Sequence, residues 1–197
     1  MGIEALCPQP GTSKAPPGPR IYPYLLRKLA IVRSNQVWAL NTTYIQMARG
    51  FVYLTAVVDV ASRKVLAHKV AISLEAIHAK EVIEQAFLRY GTPEIVNTDQ
   101  GSQFTATEFT DVVLAQRCKL SMYGRGAWRD NVFVKRFWRS VKYEGVYLKA
   151  YDSVSAARAD IATDIGGFNR ERPHSSLADA TPDEFYSANL PRMKDAA

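Results

Sequence analysis

The chain has 197 residues, 47% hydrophobic and 22% charged, with a formal net charge of +6; that is enough for one domain with a true core, and it is not the balance of a disordered or fibrous chain. No apolar run reaches the length of a membrane span, and Met1–Leu6 is too short and too acidic for a secretory signal. Cys7 and Cys118 have neither metal-binding nor redox spacing, which fits a reduced, cytoplasmic compartment, and the excess of Lys and Arg favours a polyanionic partner.

Residues 1–23 carry six prolines with interspersed glycine and serine and read as an extended linker. Tyr24 to Ile31 is an irregular lead-in or one or two turns of helix. Val37 to Met47, Phe51 to Val60 and Val65 to Ile72 are rich in β-formers and separated by short turns, which predicts three antiparallel strands. The second is apolar on both faces, as in a sheet covered on both sides. Ser73 to Tyr90 has a helical stripe of Ala76, Ala79, Ile83, Ala86, Phe87 and Tyr90, with Ser73 as the expected N-cap and Gly91-Thr92-Pro93 as the stop. Ile95 to Thr98 is a fourth strand, reached through that helix and so expected to run parallel to the first.

Asn97-Thr98-Asp99-Gln100-Gly101-Ser102-Gln103-Phe104 follows. An acid at a strand end before a glycine turn places a carboxylate at the rim of a sheet. Gly101 is read as supplying backbone freedom for that turn, and Asp99 is the candidate functional acid; its alternative role is to cap or turn the chain locally. Thr107 to Gln116 reads as a second helix and Lys119 to Met122 as a fifth strand. A loop with Gly124 and Gly126 leads to an expected helix over Asp130 to Glu144, with Val134, Phe137, Trp138 and Val141 inward. Lys135, Arg139 and Lys142 lie on its flank. Ser153 to Phe168 is a last helix, weakened at Gly166-Gly167. The domain is expected over 24–188, with a flexible tail over 189–197. The sum is a five-stranded mixed α/β sheet, three antiparallel strands plus two parallel, with helices on both faces.

WALNTTYI at 38–45, YLTAVVDVASRKVLAH at 53–68, NTDQGSQFT at 97–105, WRDNVFVKRFWRSVKYE at 128–144 and NRERPHSSL at 169–177 resemble bacterial insertion-sequence transposases that share the retroviral-integrase catalytic core. The resemblance implies a ribonuclease H-like fold and a mobile-element function in DNA transposition and integration. It also implies an Asp-Asp-Glu triad that holds two Mg2+ ions for in-line displacement at phosphorus. The family positions fall on Asn41, Asp99 and Lys135, so only Asp99 is an acid. An amide lacks the charge. An ammonium about 4 Å from a divalent ion would repel it by on the order of 8 kcal/mol at an effective dielectric of about 20. The sequence therefore predicts an enzyme lineage with Mg2+ binding weak or lost and strand transfer absent or strongly impaired.

Two alternatives stand beside that expectation. The chain is an active transferase through substitute ligands, of which Asp59, Asp130 and Glu144 are the candidates, or it is a non-catalytic partner that regulates intact transposase. Arg125, Arg129, Arg136, Arg139 and Lys142 are the candidate DNA contacts, against the alternative of a solvated helix flank. Trp128 is a further candidate contact. DNA, a second copy of the chain and an intact transposase are the expected partners. Such transposases use an upstream helix-turn-helix region to recognise element ends; these residues do not include one, which predicts weak sequence-specific recognition. The sequence leaves open whether Met1 is a true start or lies within a longer frame.

Overall fold

A computed structural model describes residues 20–124, 137–139, 141–142 and 151–191. The linker up to residue 19, most of the expected helix over Asp130 to Glu144, and the end of the tail lie outside the described residues. In chain order come β1 (Val37–Gln46), β2 (Phe51–Asp59), β3 (Val65–Ala71), α1 (Ala76–Tyr90), β4 (Ile95–Thr98), α2 (Ser102–Thr105), α3 (Thr107–Ala115) and β5 (Lys119–Met122). After these follow α4 (Val154–Glu171), a 3-10 turn at Ser175–Leu177 and α5 (Pro182–Ala188).

The sheet order is β3-β2-β1-β4-β5. The β1/β2 and β2/β3 pairs are antiparallel, whereas β1/β4 and β4/β5 are parallel. Alternation along β1 divides the core. Val37, Ala39 and Ile45 face a cluster with Phe137, Trp138, Val141, Ala157, Ile161 and Ile165. Trp38 and Leu40 face the opposite cluster, built with Ala79, Ile83, Phe104, Phe109 and Val113. Period-two patterning thus yields a sheet with a hydrophobic layer on each side.

The edge strand β3 is closed by polar groups from α4. Asn169 accepts from Val65 N–H at 2.9 Å and donates to Val65 carbonyl at 2.9 Å, and Arg158 Nε donates to Val70 carbonyl at 3.1 Å. Those contacts occupy edge groups that would otherwise template pairing with another chain.

Several local expectations are corrected. Helix α1 starts at Ala76, and its N-cap is Glu75 rather than Ser73. The Ser73 hydroxyl is instead 3.0 Å from Glu75 Oε2 and 3.1 Å from His78 Nε2. Helix α4 runs through Gly166-Gly167 to Glu171, because Ala157, Ile161, Ile165 and Phe168 keep its buried stripe intact over that span. Ser153 caps it, accepting from Ala156 N–H.

Helix α5 was not anticipated, although Thr181-Pro182-Asp183-Glu184 carries a capping-box signature. Thr181 Oγ1 accepts from Glu184 N–H at 3.3 Å while Glu184 Oε2 accepts from Thr181 N–H at 2.8 Å. The helix returns the C-terminal segment to the start of the sheet through Asn35. Asn35 Oδ1 accepts from Trp38 Nε1 at 3.0 Å and from the Tyr186 hydroxyl at 2.9 Å, and Asn35 Nδ2 donates to Tyr90 carbonyl. The Lys64 ammonium closes this end, 3.1 Å from Asp183 and over the Tyr90 and Tyr186 rings.

Candidate active site

The parallel register pairs Ala39 with Asn97. Two residues further along each strand, on the same face, are Asn41 and Asp99. On the β5 side, Tyr123 N–H donates to Thr98 carbonyl at 3.1 Å. Continued by one same-face step beyond Ala39–Asn97, the β1/β4 register brings Asn41 opposite Asp99 just past the end of β4, where neighbouring strands are about 4.8 Å apart. By strand parity both belong to the face that packs against Phe137, Trp138 and Val141.

Asp99 is half-buried, and Oδ1 accepts from Gly101 N–H at 2.9 Å. Burial pushes its carboxyl above the usual carboxylate range, and the Gly101 N–H opposes that shift. Gly101 does not use a conformation reserved for glycine: its φ is −62° and ψ 149°. It is needed for space. A Cβ there would lie 2.7 and 2.8 Å from the two amide atoms of Gln103 and 2.9 Å from Asp99 Oδ1. Gln103, only 7% exposed, thus packs its amide beside the carboxyl. Sequence reading quoted Gln103 within its motif without singling it out; the contact depends on the short helix α2, which periodicity alone does not reveal.

Asn41 turns its carbonyl onto the chain, accepting from Thr42 N–H at 2.7 Å. Lys135 lies outside the described residues, as do Arg125, Arg129, Arg136, Trp128, Asp130 and Glu144. Arg139 is exposed, whereas Phe137, Trp138 and Val141 are buried as expected. Lys142 is half-buried, and desolvation pushes its ammonium below the usual range.

Asp59 does not substitute for a missing ligand. It is fully buried, and its Oδ1 accepts from Ser62 N–H and Oγ while Oδ2 accepts from Asn35 N–H, all within 2.8 Å. Its partner across β1 is Trp38, three residues before Asn41 and roughly 10 Å along the strand. Among the described residues no cluster of three or more His, Cys, Asp or Glu is arranged to hold a metal ion. Among the described residues the family positions supply one carboxyl, Asp99, and an amide turned to its own backbone, Asn41.

The remaining singled-out residues have structural places. His174 accepts through its carbonyl from Leu177 and Asp179 N–H, and its ring packs on Phe168 at 5.1 Å. Cys118 is buried, its thiol pushed up to about 11 by desolvation. His68 is half-buried within β3.

Known proteins fit this frame. The integrase core domain family matches residues 32–127, and a second integrase core domain family matches 116–182. The chain belongs to the integrase core family. Transposase InsF for insertion sequence IS3A of Escherichia coli (strain K12) is 30% identical over 159 residues, covering 79% of this chain and 55% of that protein. The transposase for insertion sequence element IS904 of Lactococcus lactis is 29% identical over 162 residues, covering 79% and 62%. The chain thus spans a little over half the length of these curated relatives.

Among solved structures, the HTLV-2 integrase catalytic core domain in complex with magnesium aligns with a TM-score of 0.59 at 18% identity, over 80% of this chain and 98% of that one. A simian T-cell lymphotropic virus intasome chain aligns at 0.69 with 15% identity, over 90% and 62%. This integrase core carries the ribonuclease H-like fold, with the five-stranded mixed sheet expected from sequence. No helix among the described residues is long and apolar enough to cross a membrane.

Proposed function

We propose that this integrase core is the DNA-engaging part of an insertion-sequence transposase whose phosphoryl-transfer chemistry is lost or strongly impaired. The observation that carries the reading is the pairing at the end of β4: the one retained acid, Asp99, has an amide, Asn41, as its neighbour on β1. In-line displacement at phosphorus by paired cations requires carboxylates on both sides of the metals. The third family position, Lys135, adds a cation where a ligand is required. Magnesium would find Asp99 as its one acidic ligand here, and weak binding follows from that count.

DNA remains the partner best suited to the chain's basic balance and to its resemblance to transposases. Arg125, Arg129, Arg136, Arg139 and Lys142 are proposed to lie along phosphates, with loss of affinity as salt rises. Multimers of this chain or mixed assemblies with intact transposase are consistent with the same reading.

The test is restoration. Asn41→Asp and Lys135→Glu together are expected to yield magnesium-dependent joining of donor ends to target DNA, with the parent chain inactive in the same assay. Magnesium-dependent joining by the parent chain would refute the reading.

A further inference from the structure

Three aromatic rings stand together on the β1–β2 hairpin, Tyr44 and Phe51 exposed and Tyr53 half-buried. Tyr44 and Tyr53 are direct cross-strand partners, and Phe51 is paired with Gln46, one step toward the turn on the same face. The ring centroids are 5.3 Å apart for Tyr44–Phe51, 5.2 Å for Tyr44–Tyr53 and 5.4 Å for Phe51–Tyr53. Tyr44 is 57% exposed and Phe51 53%. Core formation does not account for them, because the apolar cluster on this face of the sheet gathers Trp38, Leu40 and Val57 and leaves the hairpin's far end uncovered. A contiguous exposed aromatic patch of this kind marks a contact surface.

Its chemistry selects among partners. Phe51 meets Tyr44 at 78° and Tyr53 at 86°, edge to face, and Tyr44 tilts on Tyr53 at 48°, so no two of these rings stack in parallel, and Tyr44 and Phe51 keep more than half their surface open to a partner. The stretch from Asn41 to Val58 contains no Asp or Glu, and its one charged residue is Arg49 in the turn. Around the rings lie the hydroxyls of Thr42 and Thr55, 2.9 Å apart, and the amide of Gln46. An acid-free aromatic platform with a polar fringe and a cation is the pattern on which unpaired bases stack.

Position supports the same partner. Tyr44 follows Asn41 by three residues, roughly 10 Å along β1, on the opposite face of the sheet. The β1/β4 register ends at Ala39 opposite Asn97, so beyond Asn41 the β4 side of β1 has no paired strand among the described residues. A DNA strand leaving Asp99 can cross that open edge to the aromatic face.

We infer that Tyr44, Phe51 and Tyr53 form a stacking platform for an unpaired nucleobase of DNA, reached across the open edge of β1. The inference rests on the DNA-binding part of the function proposed above. It does not require catalysis.

The test is fluorescence anisotropy of the full 197-residue chain with a forked duplex carrying unpaired thymidine arms and with a blunt duplex of equal length. Wild type should favour the fork. Tyr44→Ala and Phe51→Ala should each weaken fork binding by about five-fold or more and leave blunt-duplex binding unchanged. Tyr44→Leu keeps apolar cover without a ring and should lose the fork preference too, whereas Tyr44→Phe should retain it. Both Tyr44 variants preserve β-forming bulk, so a folding defect in the alanine variants does not remove the test. Blunt binding without a fork preference overturns this inference alone. Binding of neither DNA overturns it together with the proposed function. A shift in sedimentation caused by Tyr44→Ala, with fork binding intact, assigns the face to contact between copies and overturns the platform.

Discussion

Asn41→Asp, made in a Lys135→Ala background that serves as the parent, tests the site geometry without relying on activity and without an ammonium to offset the new charge. Continued past Ala39–Asn97, the register brings residue 41 opposite Asp99, just beyond the end of β4, and two carboxylates there would stand roughly 5 Å apart. At an effective dielectric of about 20 their repulsion is about 3 kcal/mol. Burial has already pushed the Asp99 carboxyl upward, so a second charge raises the pair further and one carboxyl retains its proton more strongly in the folded state. A folded-state pKa above the unfolded value means stability is greatest in acid and is lost as pH rises through the raised value. The variant should therefore unfold in urea with up to about 3 kcal/mol less stability than the parent at pH 7 in EDTA and low salt. Most of that loss should vanish near pH 3 to 4, where the carboxyls are protonated. Magnesium should recover part of it at pH 7, because a cation that binds the folded pair stabilises it by mass action. Equal stability of variant and parent at pH 7 without metal would refute the side-by-side placement of Asn41 and Asp99, and with it this account of the site.

Asp99→Asn should be more stable than the parent at pH 7 and should flatten the decline of stability with rising pH, since the amide oxygen still accepts from Gly101 N–H and no buried charge remains; urea unfolding across pH 3 to 8 reads this, and a steeper decline contradicts it. Ala178 is exposed and left-handed, φ 55° and ψ 43°, so Ala178→Gly relieves about 1–2 kcal/mol of backbone strain against an entropic cost of about 0.5–1 kcal/mol. A net gain near 1 kcal/mol, or a melting shift of about 2–4 °C, is the expected result in calorimetry. Asp59→Ala leaves Ser62 and Asn35 donors unsatisfied in the interior and should cost about 3 kcal/mol or more in the same urea assay; a loss under about 1 kcal/mol would show that Asp59 does not hold this turn.

The strands, the parallel return of the fourth and the second acid were legible in the residues because each depends on local pattern. Alternation along Val37–Gln46 sets two faces, the helix between β3 and β4 requires a parallel return, and the Asp99 stretch has its own turn chemistry. Asn41 and Lys135 could be named as departures from the acid pattern on sequence resemblance alone, since identity at a position does not depend on coordinates.

Tertiary packing decided what local pattern could not. Gly101 is a matter of space, because the Gln103 amide and the Asp99 carboxyl converge on it only once α2 folds back. Asp59 lay in the sequence as a possible ligand, yet three hydrogen bonds from residues on either side of β2 hold it at the other end of the sheet. The aromatic platform likewise arises from cross-strand register: Tyr44 and Tyr53 are nine positions apart in sequence and meet only because the hairpin pairs them. Short-range preferences fix which segments become strand or helix, while contacts between distant residues, set by packing, decide which side chains share a site.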